Sequence, residues 1–111
     1  MIRHIVLFTF KPGCSWDDQR AVEAEWSTHQ VGVHVPELVE WRAGRNVSTR
    51  DIACDFVAIG LLRDEADLHR YLTNDFHRRS AALWREISTW VIADVVEPVS
   101  SQPTVSSDHT A

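Results

Sequence analysis

The sequence predicts an α+β fold in which helices cover one face of a four-stranded antiparallel sheet. Residues 1–10 and 53–62 are nearly continuous apolar runs, typical of central strands that are buried on both faces. Segments with helical spacing of apolar residues follow each run. The resulting order, β-α-β-β-α-α-β, is the split βαβ pattern of ferredoxin-like proteins.

The size and composition are those of one soluble globular domain. The chain has 111 residues, of which 44% are hydrophobic and 24% charged, with a formal net charge of −5. Its basic residues form no stripe, so we expect no nucleic acid or membrane partner. No membrane-spanning run or signal peptide is present, which favours a cytoplasmic location. Cys14 and Cys54 lack the spacing of a metal site or a disulfide framework.

The strands are predicted from runs of β-branched and aromatic residues that end in turn signals. The first strand ends at Lys11–Gly13 and carries one histidine, His4, on a face that is otherwise apolar. The last strand follows the third helix directly. The four strands are residues 1–10, 38–46, 53–62 and 90–96.

The helices are predicted from capping residues and from the spacing of apolar side chains. The first begins near Ser15, whose hydroxyl can accept a free backbone N–H, and runs for about 14 residues. Val22 and Trp26 are expected to face the sheet from this helix. The second helix is predicted over residues 64–72, and the third over residues 75–87 with Trp84 facing inward.

The C-terminal stretch divides the chain into a domain, residues 1–97, and a tail, residues 98–111. The tail is mostly Ser, Thr, Pro and Asp, so we expect it to be disordered. Within the domain, the first, third and fourth strands are apolar on both faces, although helices would cover only one. A second copy of the same sheet is the common cover for the other face, which predicts a homodimer.

A carboxylate in the last strand indicates a candidate catalytic site. Asp94 is flanked by apolar residues, and an ionised carboxylate is costly there unless something pairs with it. His77 is the predicted partner, because a carboxylate that accepts one imidazole N–H leaves the other nitrogen free to take a proton. Tyr71 and His4 are expected in the same pocket. The alternatives are a structural ion pair for His77 with Asp94, and core positions for Tyr71 and His4.

Five segments resemble the stress-responsive A/B barrel (Dabb) family, and in particular its olivetolic acid cyclase type of polyketide cyclase. The resemblance spans about residues 1–97 and implies a dimeric α+β barrel built from ferredoxin-like subunits. It also implies chemistry that needs neither a metal nor an organic cofactor. The segments are Ile2–Phe8, Gly44–Asn46, Asp55–Ala58, Tyr71–His77 and Val91–Asp94.

The resemblance assigns the catalytic roles to four side chains. The catalytic pair corresponds to His77 and Asp94, and the two assisting residues correspond to Tyr71 and His4. The chain departs from the family at Asn74–His77, where the usual motif is His-Pro-x-His, and at Phe56, where the cyclase has a histidine. These departures argue for a different substrate rather than for an inactive site.

Five tryptophans in a chain of this size raise the question of an aromatic-walled pocket. Trp26, Trp84 and Trp90, with Phe56, are the candidate substrate-binding residues, since aromatic walls suit a planar or polyenoyl molecule. Ordinary packing is the alternative, with Trp41 at the dimer interface.

Three functions remain open from the sequence. The first is a cofactor-independent polyketide-type cyclase of natural-product biosynthesis, acting on a hydrophobic small molecule. The second is a cofactor-independent monooxygenase that acts on a polycyclic phenol. The third is a stress-responsive binding protein without catalysis.

Overall fold

The computed structural model describes residues 1–98 and has the predicted architecture, with three helices and one four-stranded antiparallel sheet. The sheet order is β2-β3-β1-β4, so the two apolar runs form the central strands. The predicted tail lies, except for Pro98, outside the described residues. The elements are β1 Ile2–Phe10, α1 Gln19–His34, β2 Glu40–Arg45, β3 Phe56–Leu62, α2 Glu65–Thr73, α3 Asp75–Ile87 and β4 Ser88–Val96.

Helix α1 differs from its prediction in both its start and its buried face. It is capped by Asp18, whose carboxylate accepts the Arg20 N–H at 2.9 Å. Val22 and Trp26 point outward, and Trp26 is 63% exposed. The helix instead buries a row of small side chains, which let it lie close to its neighbours. The buried residues are Ala21, Ala24, Ser27, Thr28 and Val31.

The main core lies between the helices and one face of the sheet. Phe8 of β1 stacks on Trp84 of α3 with ring centroids 4.4 Å apart. Phe56 of β3, which is fully buried, stacks on the same indole at 5.0 Å and lies beside Phe8, with the two phenyl centroids 6.0 Å apart. Phe56 is therefore a core residue and does not line the cavity described below.

Within residues 1–98, no helix covers the opposite face of the sheet. Ile5, Leu7 and Val57 on this face are half-buried, whereas Val91 and Val95 of the edge strand β4 are exposed. The apolar surface predicted for a second subunit is thus present. Among residues 1–98 there is no helix long and apolar enough to cross a membrane.

Candidate active site

His4 and Asp94 form a hydrogen-bonded pair on the helix-facing side of the sheet. They are directly opposite each other in the β1–β4 register, and His4 Nδ1 lies 2.6 Å from Asp94 Oδ1. An ionised carboxylate can only accept, so Nδ1 carries the proton and Nε2 keeps a free lone pair. His4 is 2% exposed, whereas the Asp94 side chain is 31% exposed, so the histidine is desolvated and the carboxylate stays in contact with solvent.

The pairing corrects the prediction that Asp94 would bond to His77. Cross-strand neighbours on one face lie about 5 Å apart at Cβ, so the register itself brings His4 and Asp94 together. His77 is instead held at the start of α3, where Asn74 Oδ1 accepts its backbone N–H at 3.2 Å. The three predicted side chains still converge, because Tyr71 lies between the two imidazoles.

Tyr71 contacts both histidines. Its ring centroid is 5.0 Å from that of His4 and 4.2 Å from that of His77. Burial, with a smaller contribution from the negative charge of Asp94, raises the pKa of the Tyr71 phenol. The hydroxyl therefore stays protonated near neutral pH and is available as a hydrogen-bond donor.

His77 is a neutral imidazole in this environment. Its Nδ1 is buried and has no hydrogen-bond partner among the described residues. Burial lowers the pKa of His77 to about 4, the Leu72 backbone opposes this shift, and the nearby His4 adds to it. At neutral pH the ring therefore adds no positive charge to the site.

His4, Tyr71 and His77 line a cavity of about 960 Å³ between the sheet and the helices. Trp84 and Trp90 are among its lining residues. Trp26 is not, because it lies on the outer surface of α1, beside a separate groove. The apolar and aromatic residues of the lining, besides Tyr71, are Val6, Phe8, Val31, Trp41, Ala58, Leu72, Ala81, Ala82, Trp84, Trp90 and Ile92.

Trp41 is a cavity wall that sequence reasoning placed at the dimer interface. Its indole N–H donates to the Thr28 carbonyl at 2.9 Å, and its ring fills the space left by two glycines. A Cβ on Gly32 would lie 2.5 Å from Trp41 Cδ1, and one on Gly60 would lie 3.1 Å from Cε3. Gly32 inside a helix and Gly60 inside a strand were the sequence signals that another side chain packs closely against the backbone there.

Thr28 connects two of the aromatic walls. Besides accepting from Trp41 through its carbonyl, it accepts the Trp84 indole N–H at Oγ1 over 2.7 Å. Both indole donors are thereby satisfied inside the protein. Trp41, which is partly exposed, can therefore present apolar ring surface to the cavity, and Trp84 can stay buried behind it, without a polar group left unpaired.

No cluster of metal-ligating side chains accompanies this site. Within residues 1–98, no three His, Cys, Asp or Glu side chains are placed to hold a metal ion. Cys14 and Cys54 are both free thiols. What the cavity offers is acid–base groups, namely the His4–Asp94 pair, the Tyr71 hydroxyl and the neutral His77.

The buried imidazole of His77 should lower the free energy of unfolding as the solution becomes mildly acidic. Because its pKa is about 4 in the folded protein and 6.5 as an unperturbed side chain, unfolding takes up a proton between these values. The contribution of the neutral imidazole to the free energy of unfolding is complete above pH 6.5. It is lost as the pH falls toward 4, which lowers that free energy by up to about 3 kcal/mol. Urea unfolding at pH 7.5 and pH 4.5 measures this for the wild type and for His77→Gln.

The variant should lose less stability on acidification than the wild type, whereas His69→Gln, at an exposed position on α2, should behave like the wild type. Equal losses in the wild type and His77→Gln would contradict the assignment of a buried neutral imidazole.

The comparisons with known proteins identify the family. Residues 2–97 match the Stress responsive A/B Barrel Domain, Dabb. The chain belongs to this family. An uncharacterised protein of Streptomyces coelicolor is 43% identical to this Dabb protein over 95 residues, which is 85% of this chain and 97% of the relative.

Three solved structures are similar to this chain in fold, and two of them belong to enzymes with different activities. A dimeric ferredoxin-like protein of unknown function from Thermobifida fusca has a TM-score of 0.76 at 21% identity, covering 86% of this chain and 90% of its own. The hydroxynitrile lyase of Passiflora edulis has a TM-score of 0.68 at 15% identity, covering 89% of this chain and 96% of its own. SnoaB, a cofactor-independent oxygenase from Streptomyces nogalater, has a TM-score of 0.66 at 18% identity, covering 93% of this chain and 97% of its own. At these identities the likeness shows the fold alone.

Proposed function

We propose that this Dabb protein is a cofactor-independent enzyme that performs acid–base chemistry on a carbonyl-bearing, apolar small molecule. The observation that carries the proposal is the 2.6 Å hydrogen bond between His4 and Asp94, with His4 lining an otherwise largely apolar cavity. A desolvated histidine oriented by a carboxylate is a common arrangement for a general base. A purely structural pair would not need a cavity of about 960 Å³ beside it.

His4 is the proposed base. Its Nε2 would take a proton from a carbon next to a carbonyl, while Asp94 holds the ring and stabilises the imidazolium that forms. The Tyr71 hydroxyl would donate to the enolate oxygen as negative charge develops there. His77, which was the predicted base, would complete the wall on the far side of Tyr71 without adding a competing positive charge.

Ring closure is the proposed reaction. The carbon deprotonated by His4 would attack a second carbonyl of the same molecule, forming a C–C bond, and the proton would pass from the imidazolium to the new alkoxide. Holding a flexible chain folded removes much of the entropic barrier to such a step. A cavity of about 960 Å³ is large enough to enclose such a chain. The proposal is therefore an intramolecular aldol cyclase of the polyketide type.

A cofactor-independent oxygenase is the second candidate. Trp41 and Trp90, which are partly exposed, provide flat walls suited to a polycyclic phenol, and the fold is that of SnoaB. The same base would form a phenolate, which is electron-rich enough to react with dissolved oxygen. Both candidate reactions begin with proton removal by His4, so they differ in the substrate rather than in the catalytic residues.

The working unit is proposed to be a homodimer. The uncovered sheet face carries the exposed Val91 and Val95 beside half-buried Ile5 and Leu7, which is a large apolar surface for a monomer. The dimeric state of the Thermobifida fusca structure supports the same arrangement. The cavity lies on the opposite, helix-covered side, so pairing of two sheets would leave it accessible.

A substrate panel tests the proposed function. The purified protein is incubated with a linear poly-β-keto thioester, with an anthrone and with an aromatic hydroxynitrile, and product formation is followed by mass spectrometry, oxygen uptake and cyanide release. A cyclised product above the level of the His4→Gln variant is expected from the thioester. Oxygen uptake with the anthrone would instead favour the second candidate. Binding of all three compounds without turnover would contradict an enzyme and favour a binding protein.

A further inference from the structure

The mouth of the cavity lies between helix α3 and the edge strand β4. On the α3 side, Arg78, Ala82 and Arg85 are exposed, line the cavity and follow the spacing of one helix face. On the β4 side, the rim is formed by Trp90 and Ile92. Because the side chain of Ala82 is small, the rim has a gap between two guanidinium groups.

The two arginines of this rim are without acidic partners. Within residues 1–98, neither Arg78 nor Arg85 forms an ion pair, whereas Arg3, Arg45 and Arg70 each bind a carboxylate at 2.9 Å or less. The carboxylate of Asp75 also lines the cavity but pairs with neither of them. Arg79, which lines the same cavity, also forms no ion pair within residues 1–98, and its guanidinium lies 5.6 Å from the Phe76 ring centroid. Three cations without ion pairs therefore line one cavity in a chain of net charge −5.

Arg85 is positioned at the opening by an aromatic contact. Its guanidinium carbon lies 5.6 Å from the centroid of the Trp90 ring, which itself lines the cavity. Such a contact holds the cation near the mouth and reduces the entropy lost when it binds a ligand. Lys11 adds positive charge beside it, since its ammonium group donates to the Arg85 carbonyl at 2.7 Å.

We propose that the molecule bound in this cavity is an organic anion, with its apolar body inside and its anionic group at the mouth on Arg85 and Arg78. The two residues are two helical turns apart, about 10 Å, so long side chains can converge over Ala82. A guanidinium binds the paired oxygens of a carboxylate or a phosphate through two parallel N–H donors. This assignment rests on the proposed function for the cavity and adds the charge of its substrate.

A matched pair of fluorescent probes tests the assignment. Anilinonaphthalene sulfonate and its uncharged parent, N-phenylnaphthylamine, have the same apolar body and differ by one anionic group. The wild type should bind the sulfonate more tightly than the parent. Arg85→Gln should weaken sulfonate binding by about three- to tenfold and Arg78→Gln by less, with the parent unchanged. Competition by an arylalkyl carboxylate and by an aryl phosphate then identifies the preferred anionic group.

The control is Arg50→Gln, which removes the same charge from an exposed loop where the Arg50 side chain makes no ion pair with the described residues. It should bind both probes like the wild type. Equal affinity of the two probes in the wild type, or an equal loss in Arg50→Gln, would overturn the assignment. Failure of both competitors to displace the sulfonate would do the same.

Binding of the probes does not depend on catalysis, so the two proposals can fail separately. His4→Gln should bind the sulfonate like the wild type even though it removes the proposed base. If His4→Gln is fully active while Arg85→Gln loses the sulfonate, the anion site stands and the acid–base proposal falls.

Discussion

His4→Gln should lower the rate of product formation by about 10²- to 10⁴-fold, the range that a positioned general base contributes. Glutamine is close in size and can still donate to the Asp94 carboxylate, but it cannot take up a proton at neutral pH. The expected loss is therefore in kcat, with KM little changed, because the cavity walls remain in place. Steady-state kinetics on whichever compound of the panel is turned over gives this measurement.

Asp94→Asn separates orientation from charge in the same pair. An amide can still lie opposite His4 in the β1–β4 register, but it no longer stabilises the imidazolium. We expect a smaller loss of kcat than in His4→Gln. His69→Gln, on the exposed side of α2, is the control and should keep the wild-type rate. Wild-type turnover in His4→Gln, together with inactivity of His77→Gln, would transfer the role of base to His77.

Trp84→Ala should lower the free energy of unfolding by about 3 to 5 kcal/mol, the usual cost of removing a large buried aromatic side chain. Trp84 is 1% exposed, stacks on both Phe8 and Phe56, and donates its indole N–H to Thr28. The variant loses both ring stacks and leaves the Thr28 hydroxyl oxygen without that donor. Urea unfolding followed by circular dichroism measures the change.

Trp26→Ala is the matched control for that experiment. Trp26 is 63% exposed, so its removal should change the free energy of unfolding by no more than about 0.5 kcal/mol. Trp84→Phe should fall between the two, because phenylalanine keeps a ring packed against Phe8 and Phe56 but loses the hydrogen bond. A similar loss in Trp26→Ala and Trp84→Ala would contradict the core that the structure describes.

The fold could be predicted because its signals are local. The apolar runs of β1 and β3 and the apolar spacing of α2 depend on residues close in sequence. The buried face of α1 could not be predicted in the same way. Trp26 is the largest apolar residue of that helix, yet space near the sheet and α3 favours the row that includes Ala21 and Ala24. Which of two faces is buried depends on the neighbours rather than on the helix itself.

The sequence grouped several residues of the candidate site, but it also included Trp26 and Phe56, which do not line the cavity, and it assigned the wrong partner to Asp94. His4, Tyr71 and His77 all line the cavity, but the partner of Asp94 is set by a strand register that joins residues 90 positions apart. Sequence patterns place residues on faces, whereas register depends on the whole sheet. The role of Trp41 was hidden for a similar reason, since it depends on glycines in two other elements.

The position of Trp41 also restricts how the cavity can diverge among relatives. Gly32 cannot gain a side chain while the indole occupies its place, and a side chain at Gly60 would require Leu38 and Trp41 to move by a few tenths of an ångström. A smaller residue at position 41 would leave a void against both glycines. A change of cavity length at this end therefore requires substitutions in α1, β2 and β3 together. Across the family, positions 32, 41 and 60 should covary as a set, and relatives with different substrates should differ at all three.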